Sequence, residues 1–197
     1  RGIEKTNHKG KIKIAYPFLL FVLMRKSLLF FIVVFCVFFA NSQELTKNEK
    51  ELYKLLMEYR KSKKLAVIPL SKSLITVAQI HSRDLAQNHP DKNKCNAHSW
   101  SKNGEWESCC YTSDHAKASC MWDKPKELTD YNYPGYEIAC VGTDTLSPKE
   151  ALENWKTSQA HNNVIINGDI WDSKWEAIGI GMYMGYATVW FGHYPEP

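Results

Sequence analysis

The sequence predicts a mixed α+β domain, because its two ends follow different hydrophobic periods. Between residues 46 and 89, apolar side chains recur every three or four residues, which is typical of amphipathic helices. Between residues 177 and 192, apolar residues alternate with small or polar ones, which indicates two β-strands. Helices first and strands last, with no internal repeat, favour an α+β fold.

Two helices are predicted first. The capping-box pattern Thr46-x-x-Glu49 begins one of them, and its apolar face follows at helical spacing: Leu52, Leu55, Leu56 and Tyr59. Pro69 precedes the other, which ends near His89-Pro90. Its apolar face is formed by Leu74, Val77, Ala78, His81 and Leu85. We interpret the histidine on that face, His81, as a hydrogen-bonded core residue rather than a metal ligand.

A third helix and a closing hairpin are predicted towards the end of the chain. Ser147-Pro148-x-Glu150 begins the helix, which carries Ala151, Leu152 and Trp155. The hairpin turns near Met184-Gly185. Small residues, Gly179 and Gly181, occupy one face of its first strand.

Length and charge restrict the function. The 197 residues, 44% of them hydrophobic, suit one domain with a sizeable core. The formal net charge of +4 comes from residues 1–42, which hold seven Lys and Arg against one acid. The remaining chain has 18 basic and 20 acidic side chains. A nucleic-acid binder that neutralises phosphates is therefore not expected.

The basic start of the chain is typical of an export signal. Met24-Arg25-Lys26 precedes a twelve-residue apolar run, Leu28 to Phe39, and Ala40-Asn41-Ser42 supplies small residues. The run is shorter than the ~20 residues of a membrane span. We therefore predict a signal peptide at 24–42 rather than a membrane anchor, a single mature domain at 43–197, and an upstream extension at 1–23 outside the mature protein. The mature protein is expected to be secreted or periplasmic and not integral to the membrane.

Export predicts disulfides among the five cysteines of the mature chain, which are Cys95, Cys109, Cys110, Cys120 and Cys140. Four of them lie in or beside an irregular segment at about 91–135, for which cross-linking is the expected explanation. The odd number leaves one thiol free or paired between chains. The spacings do not define the connectivity.

Three titratable residues stand out as candidates for chemistry: His98, Glu137 and His161. Glu137 lies in an otherwise apolar stretch, Gly135 to Ala139, that would bury it. Two imidazoles and a carboxylate form a suitable set for Zn²⁺ or another divalent cation. The same groups could transfer protons. Taken singly, each is also explained as a hydrogen-bonded structural residue.

Five segments, in order, resemble the CAP superfamily (SCP/TAPS) of cysteine-rich secretory, antigen 5 and pathogenesis-related-1 proteins, in its bacterial secreted form. They are Ala78 to Ala86, Ala97-His98-Ser99, Tyr136-Glu137-Ile138-Ala139, Trp155 to Asn167, and Glu176 to Gly181 with Thr188 to Gly192. The resemblance implies a three-layer α-β-α sandwich around a mainly antiparallel sheet. It also implies a polar cleft lined by His98, Glu137 and His161, with His98 and His161 as metal ligands. The second acid of the eukaryotic pattern is replaced by Ser158, which weakens the expected metal site.

We therefore expect a secreted, non-enzymatic binding module whose cleft holds a divalent cation or a small ligand: a lipid, sterol or peptide. One alternative is a metal-assisted hydrolase with Glu137 as the catalytic general base, although the His-Glu-x-x-His helix is absent. The other alternative is a purely structural extracellular domain. No organic cofactor or nucleic-acid partner is expected. The tryptophans between residues 100 and 122 are candidates for a carbohydrate or lipid platform.

Overall fold

The computed structural model describes residues 44–142 and 145–197, which fall within one compact unit, Gln43–Pro197. The upstream extension and signal peptide predicted at 1–42 lie outside the described residues. The unit contains helices, one 3₁₀ turn and strands. In chain order these are α1 (Lys47–Ser62), α2 (Lys72–Asn88), α3 (Ala118–Trp122), α4 (Lys124–Leu128), β1 (Tyr136–Val141), α5 (Pro148–Thr157), α6 (Gln159–Ile166), the 3₁₀ turn (Asp169–Trp171), β2 (Ala177–Tyr183) and β3 (Tyr186–Gly192).

The three strands form one antiparallel sheet in the order β1-β3-β2. The predicted hairpin is confirmed as β2 and β3, joined at Met184 and Gly185. Strand β1 pairs with the other side of β3, placing Glu137 opposite Trp190. The sequence does not predict β1 as a strand, because buried residues follow one another along it and do not alternate with exposed ones.

Helices cover both faces of the sheet, so the predicted α+β class and α-β-α layering are confirmed. One core cluster joins α1, α5 and α6 to the sheet through residues such as Leu56, Trp155 and Val189. A second cluster joins α2 to the other face through Leu74, Val77 and Trp190. Successive side chains of β3 therefore enter different clusters, as expected for a central strand buried on both faces.

The predicted helices carry the predicted caps. Thr46 with Glu49, and Ser147 with Glu150, form the capping boxes of α1 and α5. Helix α6 was not predicted, because its polar start does not show a long apolar period. It ends at Asn167, whose left-handed backbone (φ 53°) suits an asparagine.

The segment at 91–135 is cross-linked, as predicted. Disulfides join Cys95 to Cys110 and Cys109 to Cys120, and the remaining thiol, Cys140, is buried and free. The segment also contains helices α3 and α4. Within the part of the chain that the structure describes, no helix has both the length and the apolar character needed to cross a membrane.

Helix α2 lies unusually close to β2 because two strand positions are glycines. A Cβ atom on Gly179 would lie 2.0 Å from the Leu74 carbonyl carbon, and one on Gly181 would lie 2.2 Å from the Ala78 carbonyl oxygen. Backbone atoms of a helix cannot move aside to make room for a methyl group, whereas the end of a flexible side chain can. The small face predicted from the sequence therefore sets the distance between helix and sheet.

We expect Gly179→Ala to lower the free energy of unfolding by about 2 kcal/mol or more, because the added methyl must displace α2. Urea denaturation measures this loss. Gly168→Ala is the matched control, since its Cβ would contact the Asn163 side chain at 3.1 Å rather than helix backbone. Equal, small losses in both variants would contradict the close approach.

Candidate functional site

The Glu137 carboxylate is the centre of the candidate site and is completely buried. It lies on β1 and faces α2, on the same side of the sheet as Trp190. Its two oxygens contact different histidines: Oε1 lies 2.5 Å from Nδ1 of His81, and Oε2 lies 2.8 Å from Nδ1 of His98. The carboxylate thus joins α2, β1 and the cross-linked segment.

The hydrogen-bond partners assign the protons of His81. Its Nε2 lies 3.0 Å from the Ser99 carbonyl oxygen, which can only accept, so Nε2 carries a proton. Its Nδ1 must also donate if Glu137 is ionised. His81 then forms an imidazolium paired with the carboxylate, and its ring stacks on Trp100 with centroids 4.1 Å apart.

Two opposing effects act on Glu137. Burial alone would raise the pKa of the Glu137 carboxyl, but the charge of His81 and the hydrogen bonds from both histidines outweigh burial. The pKa therefore lies below its ordinary value, and the group is ionised at neutral pH. With Glu137 ionised, both ring nitrogens of His81 have acceptors to which they can donate.

His98 is positioned by the cross-linked segment. Its backbone N–H donates to Asn96 Oδ1 at 3.0 Å, and the Asn96 N–H donates to the Tyr111 carbonyl at 2.9 Å. The Cys95–Cys110 disulfide closes this loop. The side chain remains partly exposed, and its Nε2 makes no hydrogen bond to any residue in the described ranges. Glu137 therefore orients the ring so that one nitrogen stays available.

His161 is presented by α6, which several hydrogen bonds attach to the domain. The Tyr59 hydroxyl donates to Asn162 Oδ1 at 2.8 Å, and the Arg60 guanidinium donates to the Ile165 carbonyl at 2.5 Å. Burial, reinforced by nearby His98, lowers the pKa of His161, although the Glu137 charge acts in the opposite direction. His161 is therefore neutral at neutral pH and electrostatically coupled to the other two residues.

Glu137 contacts His98 directly and His161 lies within electrostatic range of both, but these roles differ from a shared ligand set. Both oxygens of Glu137 are already occupied by histidines. Within residues 44–142 and 145–197, no group of three or more His, Cys, Asp or Glu side chains is arranged to hold a metal ion. Ser158, in the position of the second acid, lies between α5 and α6, where its backbone N–H donates to the Trp155 carbonyl and its side chain forms no capping hydrogen bond.

Two features of the site were not predicted: the pairing of His81 with Glu137, and the position of Tyr111 beside His98. His81 was correctly interpreted as a buried core histidine, but its pairing with Glu137 was missed. The signal was that each residue lies in an apolar context and would need a partner. Tyr111 packs edge-on against His98 with centroids 5.2 Å apart, and its hydroxyl lies 2.9 Å from His115 Nδ1. Burial and the Glu137 charge raise the pKa of Tyr111.

The tryptophans between residues 100 and 122 do not form the shared exposed platform that was proposed for them. Trp100 is buried beneath His81, which makes it a core residue, and Trp106 is half-buried with its indole N–H donating to the Ser101 carbonyl at 2.9 Å. Only Trp122 is exposed. The prediction was therefore wrong for Trp100, because its hydrophobic neighbours lie far away in the sequence.

Comparisons with known proteins give similarity in structure but not in sequence. No protein-family model and no curated protein matches the chain. An outer surface protein from Borrelia burgdorferi is similar, with a TM-score of 0.51, 17% identity, and coverage of 76% of this chain and 94% of that one. An extracellular SCP-domain protein from Bacillus anthracis has a TM-score of 0.49 and 16% identity, with coverage of 75% of this chain and 44% of that one. A cysteine-rich secretory protein from Staphylococcus aureus has a TM-score of 0.46 and 18% identity, with coverage of 75% of this chain and 40% of that one.

The chain shares its fold with the Borrelia protein, and the α-β-α layering that the CAP resemblance implied is present in the structure. The resemblance predicted from five short segments is thus confirmed as a likeness of architecture. At these identities the CAP likeness concerns the fold alone, and this chain spans less than half of the Bacillus and Staphylococcus chains. The chemistry of the site therefore follows from the residues of this chain and not from those of the similar proteins.

We expect Glu137→Gln to destabilise this domain by about 3 kcal/mol at neutral pH, because it removes one partner of a buried ion pair. Glu137 has a lowered folded-state pKa, so its contribution is present above the unfolded pKa of about 4.3 and is lost as the pH falls through the folded value. Urea denaturation between pH 7 and pH 3 should therefore show a weaker acid dependence in the variant.

Glu150→Gln is the control for this experiment, because Glu150 is an exposed carboxylate in a capping box that glutamine also completes. Its cost should stay below about 0.5 kcal/mol. A Glu137→Gln variant as stable as this control would contradict the buried ion pair.

We also expect His161 to titrate below its usual range and His98→Ala to raise the pKa of His161 towards the ordinary value. The substitution removes the electrostatic effect of His98, which adds to that of burial in lowering the pKa of His161. NMR titration of the imidazole carbon-bound protons measures both values. An unchanged His161 titration in His98→Ala would show that the two rings are not coupled. His193→Ala, which removes an imidazole bound to the Lys174 carbonyl, is the control.

Proposed function

We propose that this chain is a secreted, non-enzymatic binding module whose polar cleft holds a small ligand or a divalent cation between His98 and His161. The observation that carries the proposal is the 2.8 Å contact from His98 Nδ1 to Glu137, which fixes the ring and leaves Nε2 unoccupied. A neutral His161, coupled to His98, supplies a second imidazole. Preorganised imidazoles of this kind bind hydrogen-bonding ligands and metals at little ordering cost.

The donor set suits weak rather than tight cation binding. A histidine whose other nitrogen donates to a carboxylate is a common arrangement around Zn²⁺. However, protein zinc sites take three or four protein ligands, whereas His98 and His161 supply two. Water or the bound ligand would have to complete the shell. Glu137 would orient a ligand histidine and would not itself bind the metal.

The same geometry favours a binding module over a hydrolase. A general base needs an oxygen or nitrogen that reaches an attacking water. Both Glu137 oxygens are bound by histidines and shielded from solvent, so the carboxylate is better suited to orienting His98. A purely structural role is less favoured, because it does not explain why His98 retains a free nitrogen on a partly exposed ring.

Secretion is part of the proposal. Two disulfides in the 91–135 segment suit an oxidising compartment. The similar Bacillus protein is described as extracellular and the Staphylococcus protein as secretory, although these names belong to those chains. A lipid, sterol or peptide remains the proposed class of ligand.

Zinc calorimetry tests the cation half of the proposal. The wild-type protein should show saturable one-site binding, and His98→Ala/His161→Ala should lose it. A matched control, His89→Ala/His193→Ala, removes two histidines outside the site and should bind as the wild type does. A well-folded wild type without heat of binding would contradict the cation site and leave the uncharged ligands to be tested.

The same variants test the ligand half. A panel of fatty acids, sterols and short peptides, screened by thermal shift, should include a compound that stabilises the wild type. That compound should not stabilise His98→Ala/His161→Ala. Stabilisation of both proteins to the same extent would contradict a role for the two histidines, and no stabilisation by any member would contradict the proposed ligand classes.

A further inference from the structure

A second group of side chains, outside the histidine site, forms a partly exposed aromatic cluster. Its members come from α3, the loop before β1, β1 itself, the 3₁₀ turn and the chain after β3. They are Trp122, Tyr133, Tyr136, Trp171, His193 and Tyr194. Trp122, Tyr133 and Tyr194 are 37%, 41% and 48% exposed. Large aromatic rings are rarely exposed in one contiguous patch unless the patch binds something.

Ring contacts connect four of the six residues. Tyr136 lies in the middle, with centroids 5.9 Å from Trp122, 5.1 Å from Trp171 and 5.3 Å from His193. The backbone joins the other two residues to them, because the Gly135 N–H, in the loop that carries Tyr133, donates to the Trp122 carbonyl at 2.9 Å and Tyr194 follows His193 in the chain. The cluster is therefore one surface rather than several separate rings.

The exposed rings are held rigidly. Tyr133 and Tyr194 stack with centroids 3.9 Å apart and planes 15° from parallel. The buried Tyr131 hydroxyl donates to the Tyr194 carbonyl at 2.6 Å and accepts from its backbone N–H at 3.3 Å. Rings that are already ordered lose little side-chain entropy when they bind a partner.

The polar edges of the rings identify the kind of partner. Within the described ranges, neither the hydroxyls of Tyr133 and Tyr194 nor the indole N–H of Trp122 has a protein hydrogen-bond partner. A lipid chain or an apolar peptide would cover these groups without satisfying them, at a cost. A sugar offers an apolar C–H face for the rings and hydroxyls for their edges.

The surrounding charges favour a neutral partner. Exposed charges of both signs neighbour the cluster in the chain: Asp123, Asp130 and Asp172, with Lys126 and Lys174. Because the signs are mixed, the surface has no strong field of one sign to attract a charged bilayer or a charged polysaccharide. From the rigid exposed rings, their unpaired polar edges and these mixed charges, we propose that the aromatic cluster is a binding surface for a neutral β-linked polysaccharide.

Titration of the purified full chain with cellohexaose and with chitohexaose, followed by tryptophan fluorescence and calorimetry, tests this proposal. At least one of the two should bind saturably. Tyr133→Ala/Tyr194→Ala and Trp122→Ala should each weaken binding by about tenfold or more, because exposed aromatic rings carry most of the energy of such contacts. Tyr133→Phe keeps the stack and removes one hydroxyl, so its loss should be smaller.

Tyr183→Ala is the matched control, since Tyr183 is a half-buried tyrosine of β2 that lies outside the cluster. It should bind as the wild type does, and so should His98→Ala/His161→Ala, which separates this surface from the cleft. Thermal unfolding of each variant checks that the fold is intact.

Three outcomes would overturn the proposal. They are no binding of either sugar, unchanged binding in folded cluster variants, and binding to neutral phosphatidylcholine vesicles without binding to sugar. The last result would show that the cluster binds a membrane surface, a role in which exposed tryptophan and tyrosine side chains are also common. Because the cleft is tested with other variants and other ligands, failure here does not affect the proposed function.

Discussion

A buried carboxylate must find positive charge or hydrogen-bond donors, and the way Glu137 does so constrains the rest of this domain. Glu137 takes one histidine from α2 and one from the cross-linked segment. Removing a carboxylate from water costs several kcal/mol, so the position of both donors has to be fixed closely. Three pieces of chain that are distant in sequence are thereby held in one arrangement.

The packing of the sheet makes that arrangement possible. His81 reaches β1 only because α2 lies directly on the sheet, and α2 lies there because Gly179 and Gly181 carry no side chain. Thr188 of the central strand also donates to the Ala78 carbonyl of α2 at 3.0 Å. On the other side of the carboxylate, the Cys95–Cys110 disulfide and the Ser99–Tyr111 hydrogen bond position the loop that carries His98.

Local signals made much of the fold predictable, whereas the site depended on contacts that the sequence does not encode locally. Capping boxes at Thr46 and Ser147 and the alternation around Gly179 are short-range patterns, and the corresponding elements form as predicted. His98, Glu137 and His161 could be named from the resemblance to the CAP superfamily. The pairing of His81 with Glu137 spans 56 residues, and although the apolar context of each residue indicates that it needs a partner, nothing nearby identifies which residue that partner is. The disulfide connectivity was hidden for the same reason, whereas helix α6 was missed because its polar start shows no long apolar period.

Strand β1 places the two candidate binding surfaces side by side in the sequence and apart in space. Tyr136 and Glu137 are consecutive, so their side chains leave opposite faces of the sheet. Tyr136 enters the aromatic cluster on the face that packs against α1, α5 and α6, and Glu137 enters the histidine site on the face that packs against α2. A partner on the aromatic cluster therefore need not cover the histidines. The sheet itself separates the two surfaces, so if both proposals hold, binding at one is expected to leave the affinity of the other unchanged.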